Sequence, residues 1–190
     1  KSTDINVVEK TLSKEEVFNI LDTFSYSKKI LNPNFYDDKF YKRPIIMIIS
    51  CYKNINRLKY IYQYWLKFSQ IPYKIIIADP NIDTEFIEYD NYILVKCSDG
   101  YEELPEKVKK GMSTIFKLYN PDCIFKCDDD VYIYLSKLYD FLKFEKSHYM
   151  GNCRCVIRQN IEIDNRKINL NFCGGPLYFL DKFSIEPFIN

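Results

Sequence analysis

Residues 125–133 read FKCDDDVYI: three consecutive aspartates close a run that otherwise has the character of a strand interior. Carboxylates crowded beside apolar surface repel one another and are costly to hold there unless a cation or partner joins them. In an extended strand, residues two apart point the same way. Asp128 and Asp130 are therefore expected to share one face with Lys126, and Asp129 to point oppositely. Two carboxylates on one side of a strand end form a hard oxygen site suited to Mn²⁺ or Mg²⁺. Two side chains do not fill an octahedral shell, and waters or substrate phosphate oxygens usually complete it. The pattern thus points to a nucleoside diphosphate compound. Read alone, the triplet is equally an acidic turn whose last residue caps the helix ahead.

Outward from this stretch, apolar runs alternate with helical periods. Pro44–Cys51, Tyr73–Ala78, Tyr92–Val95 and Cys123–Cys127 are continuous apolar runs, as expected of strands buried on both faces. Between them, Ile55, Leu58, Ile61, Tyr62, Trp65 and Leu66 fall on one helical face. Within 102–119, so do Val108, Met112, Ile115, Phe116 and Tyr119. This alternation predicts an α/β domain with a mainly parallel central sheet, whose ligands bind at the carboxyl ends of the strands. Residues 1–42 read as a polar lead-in carrying one helix, which Ser13 and Glu16 open with a capping box; residues 43–190 form the main domain. After the aspartates come a helix over Ser136–Phe144 and a hairpin, IEIDNRKINL, turning at Asp164 and Asn165. FCGGPLYFL and a short final helix complete the order.

Composition removes some function classes. A formal net charge of +1 gives none of the basic field that nucleic-acid binding needs. No run approaches the roughly 18 apolar residues of a membrane span. The chain starts at Lys1 and not at Met, so it is expected to be a segment of a longer protein. The 17 Tyr and 14 Phe against 5 Gly look like the mark of an AT-rich coding genome, so single tyrosines are given little weight. Seven cysteines lie mostly inside apolar runs and read as buried thiols. A zinc site from Cys123, Cys127, Cys153 and Cys155 is an alternative, although neither spacing is the usual knuckle.

The order of motifs after Cys97 resembles the β-1,3-galactosyltransferase and Fringe group of nucleotide-sugar glycosyltransferases. The matching residues are Asp99, Tyr101, Glu103, Leu104, Lys107, Lys126, Asp128–Asp130, Tyr149, Gly151 and Cys173–Gly175, with Arg57 and Trp65 in the earlier SCYKNINRLKYIYQYW. The resemblance implies a GT-A fold, a Rossmann-like α/β/α sandwich, over about residues 44–190. It implies a UDP-sugar donor, a glycan or glycoprotein acceptor hydroxyl, and inversion at the transferred carbon. By the same resemblance, Asp128–Asp130 form a DxD motif, with Asp130 on the metal and Asp128 near the ribose or metal. Ser50, Tyr52 and Arg57 would meet the nucleotide, Asp79 the base or ribose, and Lys107 the donor; Lys126 or Lys107 would join the metal in stabilising the leaving diphosphate. Gly174 and Gly175 would admit backbone close to the sugar. From the residues themselves, Arg57 and Lys107 also read as solvated helix charges, and the two glycines as a plain turn.

Two departures accompany the resemblance. The group's late acidic motif, which supplies the catalytic base, does not occur before Asn190. Asp181 and Glu186 are the only carboxylates beyond the glycines, and Asp181 is the candidate base unless another segment supplies it. Pro176 also stands where the group has a more flexible residue. His148 reads as structural. Relatives are mostly Golgi enzymes, which implies a Golgi-like lumen, or cytoplasm in a source without a secretory pathway. A metal-dependent nucleotidyltransferase is a rival enzyme class, but no glycine-rich phosphate loop is present. A sugar- or nucleotide-binding module without turnover is the non-enzymatic rival.

Overall fold

The computed structural model of the chain describes residues 12–24, 41–144, 146–151, 161–163, 166–168 and 175–189. Helix α1 (Lys14–Asp22) opens with the expected capping box: Ser13 Oγ accepts from the Glu16 amide, and Glu16 Oε2 accepts from the Ser13 amide. Strand β1 (Pro44–Ile49) follows, then α2 (Ile55–Tyr64), β2 (Tyr73–Ala78), β3 (Phe86–Glu88) and β4 (Tyr92–Val95). The second half runs α3 (Leu104–Tyr119), β5 (Cys123–Asp128), α4 (Leu135–Phe144), β6 (Tyr149–Gly151), β7 (Ile161–Ile163), β8 (Arg166–Ile168), β9 (Leu177–Asp181) and α5 (Lys182–Ile189). Strands β7 and β8 pair as the expected hairpin; its turn residues, Asp164 and Asn165, lie outside the described residues.

Seven strands form one sheet in the order β3-β4-β2-β1-β5-β9-β6. The four central strands are parallel, while β3 and β9 run antiparallel to their inner neighbours. Every residue of β1 and β2 is buried, as an unbroken apolar run demands of a strand covered on both faces. Alternate residues serve the two covers. Ile46 and Ile48 join Ile75, Ile77 and Phe125 in a core with Val17, Leu21, Leu58 and Leu138 of α1, α2 and α4. Met47 and Ile49 join Ile76, Ile93 and Ile124 in a second core with Val108, Met112 and Ile115 of α3 and Ile185 of α5. The result is an α/β/α sandwich. Helix α3 lies close on the sheet because Gly111 has no side chain: a Cβ there would stand 3.0 Å from two carbons of Ile76.

The topology locates a crevice. From β1 the chain moves outward through α2 to β2 and then β4, after which α3 carries it back across to β5 on the other side of β1. Strand order thus reverses between β1 and β5, and open α/β sheets bind ligands outside the carboxyl ends at such a point. The register sets Ile49 opposite Asp128, so the loop from Ser50 and the triplet from Asp128 emerge together.

Candidate functional site

A cleft of about 380 Å³ opens at that switch point, lined by residues that include Ser50, Arg57, Asp99, Lys107 and Asp128–Asp130. Four connections build it. Ser50 Oγ donates to Asp129 Oδ2 at 2.7 Å, tying the end of β1 to the end of β5. Lys107 reaches up from the first turns of α3, donating to Asp99 Oδ1 at 2.5 Å and to the Ser50 carbonyl at 3.0 Å. Asp99 Oδ2 accepts from the Tyr52 amide at 3.1 Å, which holds the loop after β1. From α2, Arg57 Nη1 stands 3.5 Å from Asp129 Oδ1 and 3.4 Å from Asp130 Oδ2.

The three aspartates differ in environment, and strand parity does not describe them. Strand β5 stops at Asp128, and Asp129 and Asp130 lie in the turn beyond, where the two-residue period no longer applies. Asp129, expected to face away, is buried against Ser50 and Arg57. Asp128 takes Lys126 Nζ on Oδ1 at 2.5 Å; the same ammonium donates to the Gly175 carbonyl and lies over the Tyr178 ring. Burial pushes the Asp128 carboxyl above the usual carboxylate range, against the pull of Lys126. Burial raises Asp129 as well, opposed by the Ser50 hydroxyl and Arg57. Asp130 is the open member, with 61% of its side chain exposed.

The remaining candidates divide. Asp79, at the end of β2, is buried and taken: Lys14 donates to Oδ2 at 2.6 Å, Tyr52 Oη to the same oxygen at 2.9 Å, and the Asn81 amide to Oδ1 at 3.0 Å. Burial works to raise its carboxyl, but these donors leave it below the ordinary value. Tyr52 is raised in turn, by burial and by Asp79. Gly175 does not owe its identity to crowding, since a Cβ there meets nothing within 4 Å; its carbonyl is what serves, holding Lys126. Gly174 lies outside the described residues, as do Cys153, Cys155 and Cys173. The four described cysteines are free thiols, three of them buried.

Asp181 is not at the cleft. Strand β9 runs antiparallel to β5 and sets Asp181 opposite Cys123, five residues from Asp128 and so about 16 Å away along the strand. There it accepts from the Ser184 amide at the start of α5 and pairs with His148 Nδ1 at 2.6 Å, a helix-capping role that also gives His148 its structural place. Lys14 and Asp99 carry more of the site than their sequence signal suggested. Asp99 was visible in the CSDGYEELPEK motif, whereas nothing in the polar lead-in marked Lys14 as the partner of Asp79.

The donor set can be weighed for a divalent cation. Among the described residues, no three His, Cys, Asp or Glu side chains converge as a ready-made cage. Asp129 directs both oxygens to Ser50 and Arg57, and Asp128 directs one to Lys126. Among the described residues this leaves the second oxygen of Asp128 and the mostly exposed Asp130, whose Oδ2 has only the same Arg57 Nη1 at 3.4 Å. That set fits a cation brought in with phosphate oxygens, and does not fit one held by protein alone.

A Rossmann-like α/β/α sandwich with an acidic cleft at its switch point is consistent with the GT-A fold of nucleotide-sugar glycosyltransferases. The family model for galactosyltransferases matches residues 78–182, more than half of the chain, and the chain belongs to that family. It is 29% identical over 75 residues to probable β-1,3-galactosyltransferase 12 of Arabidopsis thaliana, and 31% identical over 73 residues to probable β-1,3-galactosyltransferase 13 of the same plant. These matches cover 40% and 38% of this chain, and 20% and 21% of the relatives' lengths.

Proposed function

We propose that the cleft binds the diphosphate of a nucleotide-sugar, UDP-linked in the first instance, and that the chain takes part in moving the sugar to an acceptor hydroxyl. The observation that carries this reading is the convergence of Ser50, Arg57, Lys107 and Asp128–Asp130 on one cleft at the β1/β5 switch point. Membership of the galactosyltransferase family supports it, and both named relatives are described as β-1,3-galactosyltransferases.

The geometry redistributes roles within the site. Lys107 and Lys126 are buried and fully engaged, so their work is to hold Asp99, the β1 loop, Asp128 and Gly175 in place. Arg57 is half exposed and its carboxylate contacts are long, which makes it the cation free to turn toward a departing diphosphate. Asp130 and Asp128 would hold a Mn²⁺ or Mg²⁺ ion. When bound, that ion supplies positive charge to the leaving group. Asp129, locked by Ser50, fixes the turn that presents Asp130. Inversion requires a base near the acceptor, and Asp181 does not supply it from the far end of the sheet.

A binding module without turnover is the second reading, favoured by that misplaced carboxylate. Hydrolysis of a panel of UDP- and GDP-sugars, with and without Mn²⁺, separates the two. Metal-dependent hydrolysis that disappears in Asp130→Ala is the expected result; unchanged turnover in that variant overturns the metal role.

A further inference from the structure

The galactosyltransferase match begins at residue 78, and helix α1 stands well before it, yet this helix is fastened onto the site. Val17 and Leu21 are fully buried in the core, Phe18 stacks on Tyr92 at 6.0 Å, and Phe24, just past the helix end, meets Tyr62 of α2 at 4.8 Å. The Phe24 carbonyl accepts from Asn91 Nδ2, which pins that end. At the other end, Lys14 Nζ donates to Asp79 Oδ2 at 2.6 Å and lies over the Tyr52 ring at 5.6 Å. Phe18 meets the same ring edge-on at 6.4 Å. The Lys14 side chain is 53% exposed and that of Asp79 only 5%. A surface helix thus supplies the cation for a carboxylate that is costly to bury alone.

Asp79 passes this constraint to the loop after β1. Its Oδ2 also accepts from Tyr52 Oη at 2.9 Å, while the Tyr52 amide donates to Asp99 Oδ2 at 3.1 Å, so that residue is held at both ends. Asp99 pairs in turn with Lys107, which donates to the Ser50 carbonyl. Tyr52 opens the short 3₁₀ turn Tyr52–Asn54 that leads directly into α2 and Arg57. Ser50, Cys51, Asn54 and Arg57 line the cleft on either side of it, whereas Tyr52 and Asp79 are not among the lining residues and support the wall from behind. We infer that Lys14 is a positioning residue of the donor cleft: through Asp79 and Tyr52, helix α1 sets the loop that presents Ser50 and Arg57. The inference rests on the donor reading only in calling this the nucleotide's loop; the brace itself stands on the contacts. Asp79, with both oxygens engaged, then acts through Tyr52 and not on a base or ribose. The family-matched residues 78–182 accordingly hold only part of the support of their own cleft.

Cys51 reports on the loop, because it sits between Ser50 and Tyr52, lines the cleft and is a free, half-buried thiol. Burial raises that thiol, so it reacts slowly while the loop is in place. The native chain, Lys14→Met, Lys14→Arg, Tyr52→Phe and the double variant of Lys14→Met with Tyr52→Phe are alkylated with iodoacetamide, and labelling is read cysteine by cysteine from peptide masses. Cys123 and Cys127, wholly buried in β5, report general unfolding in the same sample. Lys14→Met and Tyr52→Phe should each speed Cys51 labelling about tenfold, the scale of one charge-assisted hydrogen bond, with Cys123 and Cys127 unchanged. Lys14→Arg should restore the native rate. The double variant should be no faster than the faster single one, since both cut the same chain of contacts. UDP affinity with Mn²⁺ should fall about tenfold in the same two variants and recover in Lys14→Arg. Unchanged Cys51 labelling in Lys14→Met overturns the inference. Labelling that rises equally at Cys123 and Cys127, effects that multiply in the double variant, or a UDP affinity that neither variant alters overturns it too. Cys51 labelling as described in a chain that does not bind UDP keeps the brace and removes the donor reading; UDP binding with unchanged labelling does the reverse.

Discussion

Replacing Lys107 by Met keeps the length and packing of the side chain and removes only the ammonium, which is 4% exposed and bonded to both Asp99 and the Ser50 carbonyl. A hydrogen bond to a charged group contributes about 1.5–3 kcal/mol, and a buried carbonyl left without a partner costs about 1–3 kcal/mol. Asp99 keeps some water, at 20% exposure, and keeps the Tyr52 amide, so the first contribution belongs at the low end of its range. The expected loss is about 3 kcal/mol. In a chain of this size each kcal/mol lowers the melting midpoint by about 2–4 °C, which gives about 6–12 °C by circular dichroism. Much of that loss is the orphaned carboxylate. Adding Asp99→Asn to Lys107→Met should therefore recover about 1 kcal/mol, whereas Asp99→Asn alone destabilises. A midpoint shift below about 2 °C for Lys107→Met, or a double variant no more stable than the single, would refute the claim that this pair holds the β1 loop.

Other expectations follow from the same contacts. Asp129 has its carboxyl raised by burial, so its contribution to stability is complete below the unfolded value and fades as pH rises through the native one. The stability of the native chain relative to Asp129→Asn should thus grow as pH falls from about 7 to about 4, measured by urea midpoints. Asp79 has the opposite sign: its carboxyl lies below the ordinary value, so its contribution is lost as pH falls through the native value. The margin over Asp79→Asn should accordingly shrink below about pH 4. Gly111→Val would drive side-chain carbon into Ile76 and Met47 and should cost about 1–3 kcal/mol in the same assay; an unchanged midpoint would show that α3 does not lie as close on the sheet as described.

The elements legible in the sequence were those whose burial is complete. PIIMII and YKIIIA read as strands because they are covered on both faces, and Ser13 with Glu16 announced α1 through a purely local device. Strand β3 was not visible: Phe86–Glu88 is a short, half-buried edge whose pairing with β4 comes from the sheet and not from any period of its own. Trp65 was expected on the continuous face of α2 but ends it, the chain tightening there into a short 3₁₀ turn at Leu66–Phe68. The site was legible as a set of residue types and less so as geometry. Parity carried Lys126 and Asp128 correctly to one side because both belong to β5, and failed one residue later where the strand stops. Asp181 was the candidate base only as a carboxylate beyond the glycines; the antiparallel return of β9 sets it beside Cys123, away from the cleft. The tyrosines of α2 were discounted on composition, and their exposure on one face appears only once α2 is packed.

The central claim is that the open carboxylate beyond β5 and the loop beyond β1 form one diphosphate site. Calorimetric titration of UDP into the chain, with and without Mn²⁺, tests it most directly. Saturable binding that requires the metal and is lost in Asp130→Ala, with the melting midpoint of that exposed-site variant unchanged, is the result predicted. Metal-independent binding of the same strength in Asp130→Ala, or no UDP binding with Mn²⁺ present, would contradict it.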